Sequence, residues 1–158
     1  MPAAATAMFY HLTTKGLDDT LTTILTRAVG QGWRVMIRSP DADLIRHLES
    51  RLWLDPADSF LPHGVEGSGQ DAAQPILLGA GPITNAARAL FLLSGAQATQ
   101  TEATSLERIW LIFDGGDPAA VEAARAEWAR MTGWGIAAQY WSDATGNWVK
   151  KTERPASP

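Results

Sequence analysis

The segment Ile109-Trp110-Leu111-Ile112-Phe113-Asp114-Gly115-Gly116-Asp117-Pro118 decides the fold. Five consecutive apolar residues do not alternate with polar ones, so this strand is covered on both faces, as strands of a parallel sheet are. Asp-Gly-Gly-Asp-Pro then turns the chain. Asp117 is placed to cap a helix and Pro118 occupies its first position, where a missing N–H costs nothing. The spacing predicts that helix over 118–131. Working back toward the amino terminus, Met8-Phe9-Tyr10-His11-Leu12 reads as a first strand. Leu17, Leu21, Ile24, Leu25 and Ala28 recur at helical spacing and predict a helix over 17–30, closed by Gly30 and Gly32. Trp33-Arg34-Val35-Met36-Ile37 follows as a strand. Ser39-Pro40 starts a helix over 40–53, whose apolar stripe is Leu44, Ile45, Leu48 and Leu52. Strands alternating with helices favour a parallel sheet, with Trp110 buried in its centre.

Other stretches complete the organisation. Residues 55–74, with Asp55-Pro56, Pro62-His63 and three glycines, carry no period and read as a long loop. Pro75-Ile76-Leu77-Leu78 reads as a strand. The stretch 86–93 suits helix through its alanines and strand through Leu90-Phe91-Leu92-Leu93, and the strand is preferred. Gln97 to Thr104 reads as loop, Ala137 to Trp141 as a last strand, and Asp143 to Asn147 as a turn into Trp148-Val149-Lys150. The expected division is a disordered leader over 1–7, one domain over 8–151 and a disordered tail over 152–158.

Composition limits the functions open to such a domain. The 158 residues suit one domain, and 46% hydrophobic content supports a packed core. Thirteen Lys+Arg against 17 Asp+Glu give a net charge of −4, a poor balance for gripping a nucleic-acid backbone. With no cysteine, disulfides, thiolate metal sites and a cysteine nucleophile are excluded. His11, His47 and His63 are too scattered to suggest a metal site. The start lacks the basic and apolar regions of a signal peptide, and no run approaches the roughly 18 apolar residues of a membrane span. A cytoplasmic protein is expected, with no membrane contact and no cofactor.

The search for catalytic chemistry returns little. Gly79-Ala80-Gly81 follows a strand, but Thr84 stands where a dinucleotide fingerprint needs its third glycine, and no phosphate-binding Gly-x-x-x-x-Gly-Lys-[Ser/Thr] occurs. Asp114 and Asp117 lie where α/β enzymes often hold magnesium, yet turn and cap chemistry accounts for both. His63 has no catalytic partner placed by sequence, and a structural hydrogen bond is preferred for it. No catalytic residue is assigned.

Tryptophan is the unusual feature. There are seven, and Trp128, Trp134, Trp141 and Trp148 crowd the carboxy-terminal part. Trp53 ends its helix immediately before the proline-rich loop that carries Phe60, Leu61 and Pro62. Either that loop folds back over the sheet edge, or it presents an aromatic anchor patch to another protein. Charge also shifts along the chain: Ala119 to Arg154 holds five basic residues (Arg125, Arg130, Lys150, Lys151, Arg154) and four acidic ones. Arg125 and Trp128, three apart on a helix, share a face, where they can receive a carboxylate with an apolar side chain, or simply form a solvated face.

Taken together, these landmarks resemble the chi subunit family of bacterial DNA polymerase III. The resemblance rests on Phe9-Tyr10, on Trp33-Arg34-Val35, on the specific Leu52-Trp53-Leu54-Asp55-Pro56-Ala57-Asp58-Ser59-Phe60-Leu61-Pro62-His63 stretch and on Pro75-Ile76-Leu77-Leu78. It continues through Asp114-Gly115, Arg125 with Trp128, Tyr140-Trp141 and Gly146-Asn147-Trp148. It implies a three-layer Rossmann-like α/β domain with a mainly parallel sheet and flanking helices. It implies a non-catalytic accessory subunit of the clamp-loader complex, acting in DNA replication and touching nucleic acid only indirectly. The implied partners are the psi subunit, at Trp53, Phe60, Leu61 and Pro62, and the acidic carboxy-terminal tail of single-stranded-DNA-binding protein. Arg125, Trp128, Arg130 and Lys150 would form the tail site. One departure stands out: the family usually has Lys after the site's aromatic, and here Ala129 follows, with Arg130 a step further round the helix. A small nucleotide-binding α/β enzyme and a direct nucleic-acid binder remain as alternatives at this level.

Overall fold

A computed structural model describes residues 5–54 and 61–157. Within them the elements follow as β1 (Thr6–Leu12), α1 (Leu17–Gly30), β2 (Val35–Arg38), α2 (Ala42–Leu54), β3 (Gly64–Val65), β4 (Ile76–Gly79) and β5 (Ala89–Leu92). The second half adds α3 (Gln100–Ser105), β6 (Arg108–Asp114), α4 (Pro118–Gly133), β7 (Ala137–Ser142) and β8 (Val149–Arg154). The strands form one sheet in the order β3-β4-β2-β5-β6-β1-β7-β8. Every neighbouring pair is parallel except β7 with β8, the hairpin at the carboxy-terminal edge.

The uninterrupted apolar runs explain the three layers. Successive residues of a strand point to opposite faces, so apolar residues at every position demand cover on both. On one face Leu21 and Leu25 of α1 and Ile45, Leu48 and Leu52 of α2 pack over Val35, Ile37, Phe91, Trp110 and Ile112. On the other, Ala103 of α3 and Ala124 and Met131 of α4 pack over Phe9, Met36, Leu90 and Leu111. Trp110 is buried in β6 and stacks on Phe91 with ring centroids 4.5 Å apart. This is the expected α/β architecture, and 89–92 is strand, because its run is buried on both faces.

Several boundaries differ from the expectation. The segment read as loop at Gln97 to Thr104 contains α3, started by a capping box: Thr99 accepts the Glu102 N–H and the Glu102 carboxylate accepts the Thr99 N–H. The signal was a Thr-x-x-Glu spacing with only Ala103 buried, too short for periodicity to reveal. Helix α2 starts at Ala42, two residues after Pro40. Asp41 caps it, its Oδ1 accepting the N–H groups of Asp43 and Leu44, while Ser39 Oγ accepts the Asp41 N–H before it. Part of the long loop is ordered by the sheet, since Gly64 and Val65 pair with Leu77 and Leu78. The first and last strands in the chain also run past the expected domain limits: Thr6 and Ala7 lie in β1, inside the sheet between β6 and β7, and Thr152 to Arg154 lie in the edge strand β8, paired with Tyr140 to Ala138 of β7.

Candidate partner-binding surface

In a parallel α/β sheet, ligands bind at the carboxyl ends of the strands, where backbone N–H groups of the following loops are free to hold anions. Here two such loops are filled by the protein's own carboxylates. After β1, the N–H groups of Thr13, Thr14 and Lys15 donate to the buried Asp143 carboxylate, at 2.6 Å from Thr13 and 2.7 Å from Lys15. Burial opposes its ionisation, but these N–H donors outweigh that and hold its pKa below the usual carboxylate range. After β4, the Glu66 carboxylate accepts the N–H groups of Ala80 at 2.8 Å and Gly81 at 3.0 Å. A Cβ at Gly79 would collide with the Glu66 side chain. The glycines that resembled a phosphate loop therefore make room for a carboxylate of the same chain.

The remaining carboxyl-end groups are equally engaged. Asp114 Oδ1 accepts the Gly116 N–H at 2.8 Å and Asp117 Oδ1 accepts the Ala119 N–H at 3.0 Å, the turn and the cap that the sequence implied. Arg38 is buried and meets Glu102 in a two-pronged ion pair, at 2.8 and 2.6 Å, while also donating to the carbonyls of Gly81 and Gln97. Burial works against the Glu102 charge, and the Arg38 and Thr99 hydrogen bonds overcome it and lower its pKa. A cleft of about 490 Å³ lies among Leu12, Leu93, Phe113, Ala120 and Ala123, bordered by Asp114, Asp117 and Glu127. Its walls are apolar and its charged border is acidic, the wrong sign for a nucleotide. Among the described residues no group of three His, Asp or Glu side chains could hold a metal ion.

The flank formed by α4 and β7 is built differently. Trp128 is half-buried, edge-on to Phe9 at 5.2 Å and to Tyr140 at 6.3 Å. Arg125, one turn earlier, is exposed, and its ion pair with Glu122 is long, at 3.9 Å. Its charge acts on the Tyr140 phenol: burial raises that pKa and Arg125 pulls it partly back. Tyr140 in turn shares a 2.6 Å hydrogen bond with His11 Nδ1. A cation, an indole edge and a phenol thus meet on one surface. Sequence reading found Arg125 and Trp128 through their helical spacing and missed His11 and Tyr140. The available signal was strand alternation, which puts Phe9 and His11, like Ala138 and Tyr140, on one side of neighbouring strands.

Two other residues expected at this place are not brought to it. Arg130 turns to the buried Glu127 carboxylate and the Ala98 carbonyl, and lies over the Trp134 ring. Lys150 pairs with Trp141, the neighbour of Tyr140 that points to the opposite sheet face, and its Nζ meets Glu153 at 3.1 Å. The register shifts between Tyr140 and Trp141, so that Lys151 has no partner of its own on β7.

At the other edge of the sheet, Trp53 is 59% exposed at the end of α2, with its ring 4.8 Å from that of His63. Pro62 is exposed beside them. Leu61, expected in the patch, is instead buried with Leu48 and Leu52 and anchors the loop. His63 Nδ1–H donates to the Leu61 carbonyl at 2.8 Å, because a carbonyl oxygen only accepts, and this is the structural hydrogen bond expected for it. Phe60 lies outside the described residues.

In this α/β domain two anion-binding loops are occupied from within, and exposed aromatic and basic groups lie on the flanks. The sequence matches the family described as DNA polymerase III chi subunit, HolC, over residues 5–139, most of its length, and the chain belongs to that family. Comparison with curated proteins gives no match. Chi subunits are non-catalytic accessory proteins, and this chain has an accessory role of that kind. Among the described residues no helix is long and apolar enough to cross a membrane.

Proposed function

We propose that this chain is a cytoplasmic adaptor of the replicative clamp-loader complex, joining the psi subunit to single-stranded-DNA-binding protein. Arg125 receives carboxylates of the acidic carboxy-terminal tail of that protein, and Trp128 supplies the apolar wall for its last side chain. Arg130, committed to Glu127, and Lys150, on the other sheet face, contribute only to the surrounding field. Trp53 with Pro62, together with Phe60, forms the psi-docking edge. The observation that carries the reading is the exposed Arg125 standing one helical turn from a half-buried Trp128, in a chain of the chi family.

The test is a fluorescence anisotropy titration with a labelled acidic tail peptide. An interface this small suits a dissociation constant of about 1 μM, roughly −8 kcal/mol. The constant rises with salt because the ion pair is solvent-exposed. Arg125→Glu weakens binding more than tenfold, adding repulsion to the lost pair. Equal binding by wild type and Arg125→Glu would place the tail elsewhere.

A further inference from the structure

We propose that the Tyr140 hydroxyl, positioned by His11, is a second ligand for the carboxylate that Arg125 receives. The proposal rests on the tail-binding reading above and adds two residues to that site. Tyr140 and His11 sit on adjacent parallel strands, with Tyr140 beside Phe9 and His11 beside Ser142 in register. Their 2.6 Å contact fixes the phenol, whose ring also meets Trp128 edge-on. The imidazole is held in turn: it packs on Phe113 at 5.2 Å and lies so close over Gly115 that any Cβ there would collide with it. A hydroxyl placed this firmly, within the field of Arg125, loses little freedom when it binds an anion. That is the arrangement a carboxylate ligand needs.

The hydrogen-bond inventory sets the condition for this role. With Nδ1 bare, the Tyr140 O–H donates to it and is taken up. With the proton on Nδ1, Nδ1–H donates to the Tyr140 oxygen, and the phenolic proton is free to point at a carboxylate.

The test titrates the full-length protein with a labelled acidic tail peptide, comparing wild type, Tyr140→Phe, His11→Phe, His11→Asn and Arg125→Ala. Tyr140→Phe keeps the ring against Trp128 and is expected to weaken binding about tenfold, as loss of a hydrogen bond to a charged group does. His11→Phe, which cannot hold the phenol, weakens binding, and His11→Asn, whose amide N–H can donate from near the Nδ1 position, recovers part of it, while thermal melts show all variants folded. Wild-type affinity in Tyr140→Phe, with Arg125→Ala impaired, overturns this proposal and leaves the tail site standing. Absence of wild-type binding overturns both. Wild-type affinity in His11→Phe removes the positioning role of His11.

Discussion

The carboxyl ends of the strands and the α4–β7 flank are both rich in groups that hold anions, and they use them in opposite ways. At the strand ends, the anion is internal: Asp143 fills the loop after β1 and Glu66 the loop after β4. On the flank, the exposed Arg125 makes a long contact to Glu122, and its charge reaches the Tyr140 phenol. The same sheet that in other α/β proteins offers its loops to phosphates here spends those loops on its own stability. On the function proposed above, recognition belongs to a helix face and a sheet edge instead. The lesson is that an anion cradle must be read together with the side chains able to fill it.

The comparison breaks most visibly at Asp143. Asp143→Ala removes the buried carboxylate shared by the N–H groups of Thr13, Thr14 and Lys15, and the unfolding free energy in urea should fall by about 3 kcal/mol, since hydrogen bonds to a charged group contribute about 1.5–3 kcal/mol. Its acid response has a definite sign. A carboxyl whose folded pKa lies below the unfolded one stabilises the fold fully above the ordinary carboxylate range. That contribution is lost as pH falls through the lowered folded value, so the wild-type melting temperature should drop there and the Asp143→Ala curve should be flatter.

The flanks should behave in the reverse manner, with binding lost and folding kept. Trp53→Ala should weaken co-purification with the psi subunit by about 2 kcal/mol, the usual cost of removing an aromatic anchor. The change in stability should stay within about 0.5 kcal/mol, as for other surface positions. A Trp53→Ala protein that unfolds would make this edge part of the core. The smallest effect is expected at Glu66. Glu66→Ala frees the N–H groups of Ala80 and Gly81, and because the Glu66 side chain is less buried than Asp143 it should cost about 1 kcal/mol in urea unfolding.

What could be read from the sequence follows from range. Ile109–Phe113 and the helical stripes announce themselves within one element, so the layers, the central Trp110 and the cap at Asp117 were legible. Arg125 and Trp128 were legible for the same reason, being one turn apart. The Asp143 and Glu66 contacts were not, because they join segments 130 positions apart in one case and 14 apart, across the whole of β4, in the other. The His11–Tyr140 pair depends on β1 and β7 being neighbours, which no local pattern fixes. Leu61 was misread since the loop's exposed Pro62 gives no hint that the adjacent leucine turns inward. Arg130 and Lys150 were grouped with Arg125 by charge alone, and a buried Glu127 and strand alternation separate them.

The central claim is that anions from outside the protein are recognised on the α4–β7 flank and not at the carboxyl ends of the strands. Backbone amide chemical-shift mapping of the full chain, titrated in parallel with an acidic tail peptide and with ATP, tests it most directly. The account expects the peptide to shift residues around Arg125, Trp128 and Tyr140, and ATP to leave Thr13–Lys15 and Gly79–Gly81 unmoved. Saturable ATP shifts in those two loops, or peptide shifts confined to them, would contradict it.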